Sequence, residues 1–168
     1  AGSGSQVINL SSALDQITEQ VTIDGTTQTG WVAGSFLPIV VDGNNGSFDG
    51  LNFSSTADGS EVRGLVLRDF DFNPIDTAAG ADNITIAGNF LGAFDSSGAY
   101  VSGEEVGAAI IYGLGDNVTI GGTTAADRNV IGGGSNGIVL SGATGGTIAG
   151  NYIGTDVTGN MVVDLTFD

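Results

Sequence analysis

The stretch TIAGNYIG at residues 147–154 repeats TIAGNFLG at residues 85–92, with six of eight positions identical. The two changes, Tyr152 for Phe90 and Ile153 for Leu91, keep aromatic and aliphatic character. A recurrence sixty-two residues apart marks either a structural unit used again or a duplicated binding site. Working outward, four segments share one plan: DGLNFSSTADGSEVRGLVL from Asp49, NPIDTAAGADNITIAG from Asn73, GAAIIYGLGDNVTIGG from Gly107 and NGIVLSGATGGTIAG from Asn136. Each has a glycine-rich turn, a short apolar strand, a turn of small polar residues and a second short apolar strand. VTIDG at residues 21–25 echoes the second strand. The strands are rich in Ile, Val and Thr and are bounded by Gly, Asn and Asp. No long window carries a helical period. Glu104 and Glu105 could open a single turn and no more.

Val40, Val62 and Ile84 recur at intervals of twenty-two residues. The step from Ile84 to Val118 is longer by twelve, and the surplus AFDSSGAYVSGE reads as a surface loop. Sandwiches do not need identity between strands. Stacked coils do, because each residue lies on its counterpart in the next rung. The expected fold is therefore all-β, a right-handed parallel β-helix of about seven coils of about 22 residues. The expected organisation is a flexible tail or linker at residues 1–6 and one β-helix domain over 7–168. A loop insertion falls near 93–105 and an end strand near 161–168. Thr22, Thr85, Thr119 and Thr147 each stand beside an inward Ile or Val and so face outward, with Arg63 in the place of Thr. Asn83 and Asn117 precede such strands, and Asn89, Asn129 and Asn151 follow them. Asparagine tolerates the left-handed turn conformation, and its amide can pair up a stack.

The chain has 168 residues, 30 of them glycine, and a hydrophobic content of 40%. That is enough for one domain with a core and is no disordered acidic tail. Dense glycine without a G-X-Y period excludes collagen and suits tight turns. Fifteen Asp and four Glu face three Arg, with no Lys or His, for a net charge of −16. This disfavours nucleic acid and anionic membrane surfaces as partners. It favours solubility, cation uptake, or life outside the cell or in high salt. No cysteine is present, so there is neither a disulfide nor thiol chemistry. No apolar run approaches the ~18 residues of a membrane span, so no direct membrane insertion is expected.

IGGTTAADRNVIGGG at residues 120–134, followed by NGIVLSGATGGTIAGNYIGTDVTGN at 136–160, resembles right-handed parallel β-helix repeats of large secreted or surface-attached microbial proteins. INLSSALDQITEQVTIDGTTQTG at residues 8–30 resembles the opening coils of such arrays. The likeness covers most of residues 8–160. It implies the fold and an extracellular or cell-surface, adhesin- or filament-like setting; it says little about activity. Gly132 stands where Ser is usual, and MVVDLTFD departs from the repeat.

Polysaccharide lyases, hydrolases and epimerases also use β-helices, so chemistry must be weighed. Arg68, Asp69 and Asp71 are the catalytic candidates: a base flanked by acids, with two carboxylates at i and i+2 on one strand face, roughly 7 Å apart. There is no His or Lys to serve as a proton relay or Schiff-base nucleophile. No cofactor is implied, save Ca²⁺, for which Asp42, Asn44, Asp95 and Asp156 offer hard oxygen ligands. The competing reading is that these residues cap Asx turns with no ion. Sequons at Asn9, Asn45, Asn52, Asn83 and Asn117 are candidate glycosylation sites. Trp31, Tyr100, Tyr112 and Tyr152 are candidate sugar platforms. A single broken threonine column reads as ordinary strand surface and not as an ice-binding face.

A β-helix has two open ends whose unpaired N–H and C=O groups template more strand. The expected edges are Val7, Ile8 and Leu10 at one end and Met161, Val162, Val163, Leu165 and Phe167 at the other. Contacts between unlike ends do not close and make filaments. The leading expectation is a non-enzymatic extracellular structural or adhesive module that stacks on copies of itself or on adjoining coils of a longer chain. The alternative is a carbohydrate-binding or polysaccharide-processing β-helix that engages surface polysaccharide. The two part on mutation. An enzyme loses turnover of its polysaccharide on Asp69→Ala or Asp71→Ala. A rod keeps its assembly, seen by light scattering, through those changes and loses it when proline enters an end strand.

Overall fold

The computed structural model describes residues 4–164. In chain order the strands are β1 (Gln6–Asn9), β2 (Thr22–Asp24), β3 (Ile39–Gly46), β4 (Leu51–Phe53), β5 (Glu61–Arg63), β6 (Leu65–Phe70), β7 (Ile75–Thr77) and β8 (Thr85–Ala87). They continue as β9 (Phe90–Gly92), β10 (Val106–Gly113), β11 (Thr119–Gly121), β12 (Val130–Gly132), β13 (Gly134–Leu140), β14 (Thr147–Ala149) and β15 (Tyr152–Ile153). The helical content of the described residues is one 3-10 turn at Gly25–Thr27, capped by Asp24. Residues 104 and 105 form no helical turn.

The strands form three sheets. Sheet A has the order β1-β3-β6-β9-β12-β15, sheet B β13-β10-β7-β4 and sheet C β14-β11-β8-β5-β2. Each pairing between these strands is parallel. From β3 onward the chain visits A, B and C in rotation. Parallel neighbours need a long crossover, and here that crossover is the passage through the other two sheets. The fold is all-β, an arrangement consistent with a β-helix-like solenoid.

Side-chain alternation sets the interior. Val62, Ile86 and Ile120 stack on sheet C, Val41, Leu67, Leu91 and Ile131 on sheet A, and Leu51, Ile75 and Ile111 on sheet B, all buried. They share one core with Phe53, Phe70, Ile84, Ile110 and Val118. Burying each such side chain stabilises the fold by about 1.5–3 kcal/mol. The threonine column lies outward as expected, but its members differ. Thr22 pairs with Glu61, Glu61 with Thr85, Thr85 with Thr119 and Thr119 with Thr147. Glu61 interrupts the column; Arg63 stacks between Asp24 and Ala87.

The spacing of twenty-two needs a similar correction. Val62 pairs with Ile86, and Val40 pairs with Val66. Partners on sheet A stand between 22 residues apart, at Val130 and Tyr152, and 40 apart, at Phe90 and Val130. The longer coils carry loops, one of which separates the end of β9 at Gly92 from the start of β10 at Val106. That loop is no simple surface excursion, since Ala93 and Phe94 are fully buried. With Leu37, Val40, Val66, Phe90, Val130 and Val163, Phe94 forms a second core. Val40, Val66, Phe90 and Val130 are the outward column of sheet A. Three hairpin-like loops, bridged at Val32–Phe36, Phe94–Tyr100 and Thr155–Val162, bring Phe94, Val157 and Val163 to that column, so sheet A is covered on both faces.

Two polar ladders fix the corners. Between sheets C and A, Asn89 and Asn129 are fully buried, and Asn151 lies above them. The Asn129 Oδ1 accepts from the Asn89 backbone N–H at 2.9 Å and from its Nδ2 at 3.1 Å. Asn151 Oδ1 does the same for Asn129, at 3.1 and 3.0 Å. Each Nδ2 also donates to a sheet C carbonyl, of Val62, Ile86 or Ile120. Between sheets B and C the aspartates stack. Asp58 accepts from the Asp82 N–H, Asp82 from the Asp116 N–H and Asp116 from the Thr144 N–H, at 2.9, 2.8 and 2.7 Å. Asn83 and Asn117, next in sequence, take the left-handed φ of 57° and 55°.

Asn129→Ala removes an amide that serves four partners and leaves buried N–H and C=O groups unsatisfied, which costs about 3 kcal/mol. Thr119→Val on the outer face changes stability by less than about 0.5 kcal/mol. Denaturant unfolding of the two variants reads the difference.

Candidate functional site

Sheet A ends in a cluster of charge. Asp42 of β3 is 6% exposed. Its Oδ2 accepts from Arg68 Nε at 3.0 Å and lies 2.9 Å from Arg68 Nη2. Arg68 is the register partner of Asp42 on the next strand, so the pair is one rung step. Glu104, from the loop before β10, places its Oε2 3.3 Å from Arg68 Nε. Carboxylate oxygens of Asp42, Asp69 and Glu104 lie within 4.8 Å of one another. Burial, then the neighbouring Asp42, pushes the Asp69 carboxyl above its ordinary value. Burial does the same for Glu104 against the opposing pull of Arg68. These are hard oxygen donors of the kind Ca²⁺ prefers, but the Arg68 guanidinium holds two of the three.

The catalytic arrangement expected here is not the one observed. Asp69 has a φ of 56°, which breaks strand alternation, and β6 ends at Phe70. Asp69 turns toward Asp42 and Glu104, whereas Asp71 lies beyond the strand and accepts from the Ser47 hydroxyl at 2.7 Å. They do not share a strand face.

The other expected cation ligands cap turns. Asp42 Oδ1 accepts from the Asn44 N–H. Asp95 accepts from the Ser97 N–H and hydroxyl and from the Ala99 N–H. Asp156 accepts from the Thr158 N–H and hydroxyl and from the Met161 N–H. Asp95 and Asp156 thus fold the matching hairpins that follow the two copies of the opening repeat. Of the sequon asparagines, Asn9, Asn45, Asn83 and Asn117 are exposed, and Asn52 is half-buried with its Oδ1 accepting from Gln16.

Three of the four aromatic candidates are engaged. Trp31 packs on the second core. Tyr152 lies under the Arg128 guanidinium, 4.3 Å from the ring centre. Tyr100 donates its hydroxyl to Glu105. Tyr112 instead lines a groove of about 460 Å³ on the outer face of sheet B, with Asn73, Asp76, Ser135, Asn136 and Val139. Asp76, Tyr112 and Val139 occupy one column of β7, β10 and β13, and Ala108 and Ala109 leave depth beside it. Burial, and then Asp49, push the Asp76 carboxyl up to about 6, against the hydrogen bond from Asn73. The sequence does not single out Asp76, and Glu104 reads there only as part of a single helical turn. Asp76 shares a column with Asn52, a signal that only the correct sheet B register reveals.

Both ends of the sheet stack expose apolar side chains. At one end Val7 and Ile8 are 46% and 50% exposed, and Leu10 is half-buried. At the other, Ile148 and Ile153 are 48% and 43% exposed. Of the edge expected from residues 161–168, the described residues 161–164 do not form the C-terminal edge. Val163 is buried against the outer face of sheet A, and Met161 and Val162 belong to the hairpin that bridges back to Thr155. Leu165 and Phe167 lie outside the described residues. Among the described residues the last strands of the three sheets, β13, β14 and β15, form that edge.

Comparisons with protein-family models, with curated proteins and with solved structures returned no match to this chain.

The pH response of Asp76 is directional. The folded state holds its proton up to about pH 6, whereas the unfolded chain releases it near 3.8. The stability it contributes is present below that lower value and is lost as pH rises toward 6. Asp76→Asn is therefore more stable than the parent at about pH 7, and the gap closes near about pH 4. Melting temperatures at the two pH values check this; a gap that stays constant contradicts it.

Proposed function

We propose that the chain is a non-enzymatic structural module, a right-handed parallel β-helix of the secreted, surface-attached repeat type, which stacks end to end on further copies of itself. The observation that carries this reading is the match between its two ends. Extending each column by one step sets Ile153 on Ile8 and Tyr152 on Val7 in sheet A, and Thr147 on Thr22 and Ile148 on Ile23 in sheet C. The inward position of the asparagine ladder, Asn151 at the top, meets Gln6, the residue that heads the same column at the other end. Another amide thus stands where the ladder would continue. Exposed aliphatic interior and unpaired strand edges at both ends supply the driving force. The right hand follows from the near-universal chirality of parallel crossovers.

The rest of the surface suits this role. A net charge of −16 keeps rods apart laterally, while the contacting strands β1, β14 and β15 carry no charged side chain and β2 carries only Asp24. Adjoining coils of a longer chain would use the same edges in the same register. Divalent cations act in this reading by screening the acid coat, because Arg68 already fills the space between Asp42 and Glu104. A polysaccharide-processing role has less support, since Asp71 is turned away from the Asp42–Asp69–Glu104 group and held by Ser47. An extracellular or cell-surface setting, with sugars on exposed sequons, fits the acidic composition.

Electron microscopy of the purified protein, with and without millimolar Ca²⁺, tests the proposal. Filaments one solenoid wide are expected, favoured by cation, with Ile8→Lys and Ile153→Lys each leaving folded monomers. Dispersed parent protein under both conditions would sink it.

A further inference from the structure

We infer that the groove on the outer face of sheet B binds a short oligosaccharide bearing free amino groups, with an ammonium on Asp76 and a sugar ring on Tyr112. This goes beyond the end-to-end assembly and uses a different surface. Asp76 and Tyr112 are register partners on neighbouring strands, about 4.8 Å apart along the stack, so one sugar ring reaches both. A tyrosine face takes the C–H side of a sugar ring and adds attraction for a nearby cation.

The charge of the groove selects the ligand. Asp76 is half-buried, and its hydrogen bond from Asn73 Nδ2 is long, at 3.4 Å. Asp49, which accepts from the Asn73 N–H and Nδ2 at 2.9 and 3.0 Å, adds a second negative charge nearby. None of the three arginines lines the groove. Arg63 pairs with Glu61 and Asp127, Arg68 with Asp42 and Glu104, and Arg128 sits on Tyr152. An acidic sugar would meet uncompensated repulsion. A neutral one could donate a hydroxyl to the carboxylate but would leave its negative charge unmatched. A lysine side chain would satisfy Asp76 but give nothing to Asn73, Ser135 and Asn136, whose donors and acceptors match sugar hydroxyls. An amino sugar satisfies all of them.

Calorimetric titration at about 0.15 M salt tests this, with a β-linked glucosamine tetramer, its N-acetylated form and a lysine tetrapeptide. The glucosamine tetramer is expected to bind the parent, and to bind Asp76→Asn and Tyr112→Ala at least about tenfold more weakly, the loss of one charge-assisted contact. The other two ligands should bind the parent at least about tenfold more weakly than the glucosamine tetramer. Binding should rise as Asp76 ionises and fall as the ligand's amines lose their protons at higher pH; the titratable or charged groups that face Asp76 are Asp49 and Tyr112. Circular dichroism confirms that both variants fold. No binding by the parent overturns the inference. So does equal binding by both variants, which would assign the affinity to the general acid coat. Equal affinity for the acetylated tetramer or for the lysine peptide overturns it as well.

Discussion

Every feature of this chain depends on strands hydrogen-bonding in register to their equivalents one coil away. Once that register is set, each side chain lies on its counterpart, and the sequence must repeat wherever the counterpart matters. Ile and Val stack inward because an aliphatic column packs without gaps. Asparagine stacks at the corner between sheets C and A because its amide donates and accepts at once, so a column of amides satisfies itself and the buried carbonyls beside it. Glycine stacks where backbones come closest. A Cβ on Gly92 would lie 1.9 Å from the Gly132 carbonyl oxygen, and the φ of Gly92 is 104°, so no other residue fits. The repeated TIAGN-aromatic-aliphatic-G is the shortest statement of these demands.

The same register explains the distribution of polar groups. Aspartates at the corner between sheets B and C each accept a backbone N–H from the coil above, so a stack of like charges is held by hydrogen bonds. At the end of sheet A the like charges are instead gathered around one cation, with Asp42 and Arg68 as direct register partners. Sheet A differs from its neighbours in being covered twice, by the main core and by three hairpins. That second layer is what the short loops after β9 and β15 build, and their Asp95 and Asp156 turns shape them. Sheet B has no such cover, which leaves its outer column open to a ligand.

Much of this was legible in the sequence. The period-two strands, the left-handed asparagines and the amide ladder follow from residue type and spacing. The register did not follow, for a specific reason. In NITIAG and NVTIGG two aliphatics flank one threonine, and both are buried: Ile84 and Ile86, then Val118 and Ile120. Either could anchor the repeat. One coil earlier the first of the two positions is Ser60, buried with its hydroxyl on the Ala57 carbonyl, so Val62 was aligned with the wrong isoleucine. The second core was also signalled, since IVV at residues 39–41 and LVL at 65–67 are continuous apolar runs, the mark of strands buried on both faces. Phe94 and Val163 are among the residues that cover the outer face of those strands. Asp76 escaped notice because an isolated aspartate in NPID acquires meaning only beside Tyr112.

The three parallel sheets each stop at two edges, which makes stacking of unlike ends the central claim. The chain has no cysteine, so a crosslink can be read without background. A variant carrying both Ile8→Cys and Ile153→Cys should, on mild oxidation, give a ladder of covalent multimers, because stacked rungs place Cα atoms about 4.8 Å apart, within disulfide range. Either single variant should give no species beyond a dimer. A double variant that stays monomeric, or that stops at dimers, would contradict head-to-tail stacking in this register.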